Sequence, residues 1–236
     1  MGLEFIGYIG NHNASETTPR SGPVVDRNHI ETVSKAHELA GFDRALLAFH
    51  SWSPDCLQIG QHAASVTEKL GILVAQRPGF TAPTLAARQF ATLDALYPGR
   101  FSLNVITGGD HAELVQDGNT VADKDERYAR TNEFLDIVRA EWTSEKPFDY
   151  HGKYYQVERG FSQVRPSKPI DIFIAGASEA AIETAGRHAD VFALWAEDYD
   201  SVRGQLAKVR AASAKYGEDL CFTYLSLSHL RAQAVD

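Results

Sequence analysis

The feature that most constrains this chain is an alternation. Short, almost wholly apolar runs take turns with longer segments whose apolar residues recur at helical spacing. The β-prone runs are Leu3–Ile9, Ala45–Phe49, Leu70–Ala75, Phe101–Thr107, Ile170–Ala175, Asp190–Trp195 and Leu220–Leu227. Polar residues hardly interrupt most of them, as in strands buried on both faces. The helical segments are His29–Ala40, Pro83–Tyr97, Glu126–Thr143, Ser178–His188 and Tyr199–Tyr216. In Pro83–Tyr97 one face holds Ala86, Phe90, Leu93 and Tyr97, and Pro98-Gly99 stops the helix. In Glu126–Thr143 one stripe holds Tyr128, Thr131, Leu135, Val138 and Trp142. Strands that alternate with helices build βαβ units, a parallel sheet and right-handed crossovers.

Two architectures satisfy this pattern, an open doubly wound sheet and a closed (β/α)8 barrel. No G-x-G-x-x-G follows the first run, which weakens the dinucleotide-binding form. Seven strand candidates in 236 residues fit a TIM barrel better, with an eighth strand missing. The expectation is one domain over residues 1–236, an incomplete (β/α)8 barrel. Only the segment at about 146–165 departs from the rhythm: "KPFDYHGKYYQVERGF" predicts an inserted hairpin turning at His151-Gly152.

Charge and composition narrow the partners. The formal net charge is −8 and no basic stripe exists, which argues against nucleic acid. No run of about 18 apolar residues could span a bilayer. Met1-Gly2-Leu3-Glu4 starts no secretory leader. Two cysteines, Cys56 and Cys221, give neither a disulfide framework nor a zinc spacing, so a cytoplasmic setting is expected. H-E-x-x-H, G-x-S-x-G, Walker and metal-spaced acidic patterns are absent, so no metal is expected. A cofactor that carries the hard chemistry fits better.

Ligands of such folds gather at the carboxyl ends of strands. Those ends carry Asn11-His12-Asn13, "HSWSPDC" from His50 to Cys56, Gln76-Arg77-Pro78, Thr107-Gly108-Gly109-Asp110, "AGASEA" from Ala175 to Ala180, and Trp195. Ser53-Pro54-Asp55 predicts the N-cap, first and second residues of a helix, and Ser53 or Asp55 could also face a pocket. Ser178 caps the next helix; with Gly176 it is either an ordinary turn or an anion site. Thr107 could hydrogen-bond a flat ligand beside its glycines. His12 and His50 are candidate proton donors, and Trp195 a candidate aromatic wall. No base lies near Cys56 to activate its thiol.

Several of these stretches together resemble one family. "RPGFTAPTLAARQFATLDAL", "NVITGGD", "DKDERYARTNEFLDIVRAEWTSEKPFDYHGKYYQVE" and "IFIAGASEAAIETAGRHADVFALWAED" resemble the bacterial-luciferase-like flavin-dependent monooxygenases, in particular the alkanesulfonate monooxygenase branch. The resemblance runs from about Leu3 to about Tyr216. It implies reduced FMN supplied by a separate NAD(P)H-dependent flavin reductase, with O2 oxidising a small organosulfur substrate. It also implies flavin contacts from Asp55 and Thr107, and phosphate contacts from Tyr128 and Ser178. Lys124 stands where relatives often have histidine, and Ser53 where the alkanesulfonate enzymes have a cysteine. The pocket candidates are His12, His50, Ser53 and Trp195. Relatives continue for roughly another third of a chain, with a lid, the eighth strand and substrate-handling arginine and tyrosine groups. Here Leu225 and Leu227 stand where relatives place an arginine and a histidine, with His229 just beyond. A truncated C-terminus and a homo-oligomer are therefore expected. The alternatives are a deazaflavin-dependent oxidoreductase of the same fold and a non-catalytic flavin-binding remnant.

Overall fold

The computed structural model describes residues 4–14, 19–108, 111–119, 121–194, 197–217 and 220–224. It comprises two compact units, Met1–Ile172 and Phe173–Asp236. The first unit begins with β1 (Ile6–Tyr8), α1 (Arg27–Leu39), β2 (Arg44–Leu47), α2 (Cys56–Ser65), β3 (Gly71–Gln76), α3 (Pro83–Leu96) and β4 (Phe101–Val105). A short α4 (His111–Gln116), a long α5 (Lys124–Thr143) and a hairpin of β5 (Phe148–His151) and β6 (Gln156–Gly160) follow. The first four strands pair in parallel and in chain order. Every residue of β3 is buried, as the apolar run up to Ala75 predicts, and the polar Gln76 at its end is buried with it.

Local chemistry sets the helix boundaries. Asp26, Asp55 and Asp123 cap α1, α2 and α5, each accepting from a backbone N–H three residues on. Pro83 opens α3, where a missing N–H costs nothing. The predicted stripe of α5 is buried throughout, and Trp142 Nε1 donates to Ala87 O of α3 at 2.9 Å.

The hairpin turn falls later than the sequence suggests. His151 pairs with Gln156, so the turn is residues 152–155 rather than His151-Gly152. Glu133 of α5 fixes it by accepting from the backbone N–H groups of Lys153, Tyr154 and Tyr155 at 2.7, 2.8 and 3.1 Å. A side chain at Gly152 would collide with that carboxylate.

The second unit holds β7 (Ile172–Ala175), α6 (Glu179–His188), β8 (Val191–Leu194), α7 (Tyr199–Ala214) and β9 (Cys221–Tyr224). β7 starts on the last residue of the first unit. Its three strands again pair in parallel and in order. Gly186 lets α6 approach α7 closely, because a Cβ there would lie 2.6 Å from Ala212 Cβ. The described residues thus hold seven parallel strands and one antiparallel hairpin.

Candidate functional site

Parallel pairing brings the carboxyl ends of β2, β3 and β4 to one side of the first unit. The residue after β3 is Arg77, 3% exposed. Its Nη2 donates to Glu113 Oε2 at 2.7 Å and its Nη1 to Ser51 Oγ at 3.3 Å. The guanidinium carbon lies 4.8 Å from the Phe49 ring centroid and 5.7 Å from that of Phe80. These rings stack on each other 6.1 Å apart. Burying a guanidinium requires such partners. Its Nε–H is nevertheless buried with no acceptor. Beside it lies Gly108, whose φ of 83° favours glycine. A Cβ there would sit 2.6 Å from Leu114 and 3.5 Å from Arg77 Nε.

Glu113, on α4, ties three elements together. Its Oε1 lies 3.0 Å from His50 Nδ1, and its backbone carbonyl accepts from Ser51 Oγ at 2.8 Å. The Arg77 hydrogen bond, opposed by burial and helped by His50, holds the Glu113 carboxyl below the usual carboxylate range. The His50 ring stacks on Trp52, 4.9 Å between centroids and 13° from parallel. Both line a cavity of about 160 Å³ at the ends of β1 and β2, together with Tyr8, Asn11, His12 and Ser53. His12 Nδ1 lies 3.2 Å from Val24 O.

Two arginines of α5 brace the loops around Arg77. Arg127 donates to Ala122 O and, at 3.2 Å, to Gly108 O. Arg130 donates to Pro78 O at 3.1 Å and to Asn119 Oδ1 at 3.3 Å. It also lies over Gly79, where a side chain would collide with it. Neither arginine pairs with a carboxylate among the described residues.

The structure brings His12, His50 and Ser53 to one cavity. It corrects the capping assignment between them. Ser53 is not an N-cap: its Oγ accepts from His50 N at 3.2 Å and closes a turn. The helix starts at Cys56, and Asp55 caps it by accepting from Gln58 N at 2.9 Å. A carboxylate is the stronger acceptor at the positive end of a helix. Asp55 is exposed there, and Thr107 is half-buried beside Gly108. Lys124 is exposed at the start of α5, and Tyr128, one turn on, is buried. Ser178 caps α6 in the second unit, accepting from Ala181 N at 3.3 Å. Trp195, Leu225, Leu227 and His229 lie outside the described residues. Cys56 Sγ donates to Ala75 O at 3.1 Å, and burial pushes its thiol up to about 12, the behaviour of a packing residue. Arg77 is marked in the sequence only as part of a strand end, and Glu113 is not marked at all.

Residues 3–232 match the model of the luciferase-like monooxygenase family, and the chain belongs to that family. It is similar to the EDTA monooxygenase from Chelativorans sp. BNC1, at 21% identity and a TM-score of 0.82 over 94% of this chain and 63% of that one. A riboflavin lyase solved with modified FMN and riboflavin gives 19% identity and a TM-score of 0.81 over 95% and 62%. An F420-dependent secondary alcohol dehydrogenase gives 21% and 0.80 over 95% and 68%. The chain thus spans a little under two thirds of the length of the first of these. The fold is luciferase-like, an incomplete (β/α)8 arrangement with seven parallel strands among the described residues. Among the described residues no helix is long and apolar enough to cross a membrane, and no cluster of metal-ligating side chains forms.

Proposed function

We propose that the chain is an FMN-dependent monooxygenase that oxidises a small organic substrate with O2, its flavin reduced by a separate NAD(P)H-dependent reductase in the cytoplasm. The finer reading of the substrate is an organosulfur compound of the alkanesulfonate type. The observation that carries the flavin assignment is the unclaimed, buried Nε–H of Arg77 beside the bare backbone of Gly108. Nε of Arg127 and Arg130 is likewise buried without an acceptor, and buried donors left unpaired suit a ligand that brings acceptors. FMN, when bound and reduced, supplies the electrons for oxygen activation.

The protein's own part is binding, orientation and exclusion of water. Arg77 would hold a polar edge of the flavin, with Asp55 and Thr107 contacting its ring or chain. Lys124, Tyr128 and Ser178 would receive its phosphate, Ser178 at a helix N-terminus that favours negative charge. Phe49 and Phe80 keep the Arg77 side dry, which strengthens each polar contact made there. His12, His50 and Ser53 would meet the substrate. The similarity to the F420-dependent dehydrogenase favours a second reading, a deazaflavin oxidoreductase. Parallel fluorescence titrations with FMN and a deazaflavin separate the two. Micromolar FMN binding, with sulfite released from alkanesulfonates when reductase, NADH and FMN are added, supports the first reading. Binding of the deazaflavin alone supports the second.

A further inference from the structure

We propose that the cavity at the ends of β1 and β2 takes an O–H- or N–H-bearing group of a ligand, received by two imidazole Nε2 acceptors, and that Glu113 is the positioning residue that sets one of them. The inference rests on the reading above only in calling that ligand a substrate, and at this cavity it puts a hydroxyl- or amine-bearing group in place of that reading's sulfonate.

Both histidines lining the cavity have Nδ1 engaged away from it. Val24 O faces His12 Nδ1 at 3.2 Å, and Glu113 Oε1 faces His50 Nδ1 at 3.0 Å. A carbonyl and an ionised carboxylate can only accept, so in each neutral ring Nδ1 carries the proton. Each Nε2 is then a lone-pair acceptor, and neither has a partner among the described residues. The His50 ring cannot turn over cheaply. Glu113 Oε2 is committed to Arg77 at 2.7 Å, which aims Oε1 at His50, and Trp52 stacks flat on the imidazole. A cavity of about 160 Å³ has room for about five waters, or a small organic group in their place. An acceptor-only head such as a sulfonate would meet two lone pairs there, whereas a hydroxyl or amine finds two acceptors.

Long-range 1H–15N NMR of the full chain with labelled histidine, at pH about 8, tests this without flavin. Wild type is expected to show His12 and His50 with protonated Nδ1 and bare Nε2. Glu113→Ala should shift His50 alone toward the mixed tautomers of an exposed histidine. Glu113→Gln leaves one oxygen, which Arg77 claims, so its NH2 faces His50 Nδ1 and should move the His50 proton to Nε2; the His12 signals, unchanged in both variants, control for folding. Propane-1,2-diol should perturb both Nε2 signals at a concentration at least about fivefold below that of propanesulfonate. A protonated Nε2 on His50 in wild type, a pattern unmoved by Glu113→Ala, or a response to propanesulfonate alone or to neither probe overturns the proposal. Failure of FMN to bind overturns the flavin reading instead and leaves these signals as they are.

Discussion

Two arginines stand at opposite ends of the same parallel strands. Arg100 precedes β4 and Arg77 follows β3. Arg100 is saturated by backbone and hydroxyl: Nε donates to Leu70 O at 3.0 Å, Nη1 to Ala64 O and Thr67 O at 3.0 and 2.9 Å, and Nη2 to Thr67 Oγ1 at 2.6 Å. Arg77 is held instead by side chains and two phenyl faces, and its Nε–H is left over. Every guanidinium nitrogen of Arg100 thus has an acceptor. Arg77 keeps a donor in reserve next to bare backbone. On the proposed reading, a stabilising arginine and a ligand-holding one are separated along the strand axis, the division expected of this architecture.

The comparison can be broken by substitution. Arg100→Met should have the largest effect on folding, about 3 kcal/mol lost in a urea melt, with FMN affinity of the folded protein changed less than about twofold. A strong loss of FMN affinity there would erase the distinction. Ser178→Asp should weaken FMN about fivefold to tenfold in a fluorescence titration, because a second carboxylate joins Glu179 at the α6 N-terminus. Unchanged titration curves would remove Ser178 from the phosphate site. Glu113→Gln sharpens the contrast through pH. Arg77 lowers the folded Glu113 carboxyl below its ordinary value of 4.5, so its contribution is present above that value and lost as pH falls through the folded one. The stability gap between wild type and Glu113→Gln should therefore narrow as pH falls below 4.5 and close below the lowered folded value. A gap that persists in acid would show that the ion pair is not its source. Smallest of all, Cys56→Ala should cost about 1 kcal/mol and leave FMN affinity unchanged, since its thiol only packs against β3.

What the sequence made legible follows from local rules. Continuous apolar runs located all seven parallel strands, and helical spacing found the buried stripe of α5 from Tyr128 to Trp142. The site was legible only in part. The six residues of α4 are too few for a periodic signal, so nothing marked Glu113 as more than a surface acid. Its partners His50 and Arg77 lie 63 and 36 positions away, a pairing that only the strand order creates. Arg77 was visible as an arginine at a strand end, but its burial depends on Phe49 and Phe80 meeting around it. At Ser53-Pro54-Asp55 two good capping residues competed, and the choice went to Asp55 because the Ser53 hydroxyl closes on His50.

The most direct test of the whole account is FMN affinity in Arg77→Met, which keeps an unbranched apolar stem between Phe49 and Phe80 but removes every donor. The account predicts a dissociation constant raised about thirtyfold, near 2 kcal/mol, in a protein that still melts cooperatively. An affinity equal to that of wild type would contradict it.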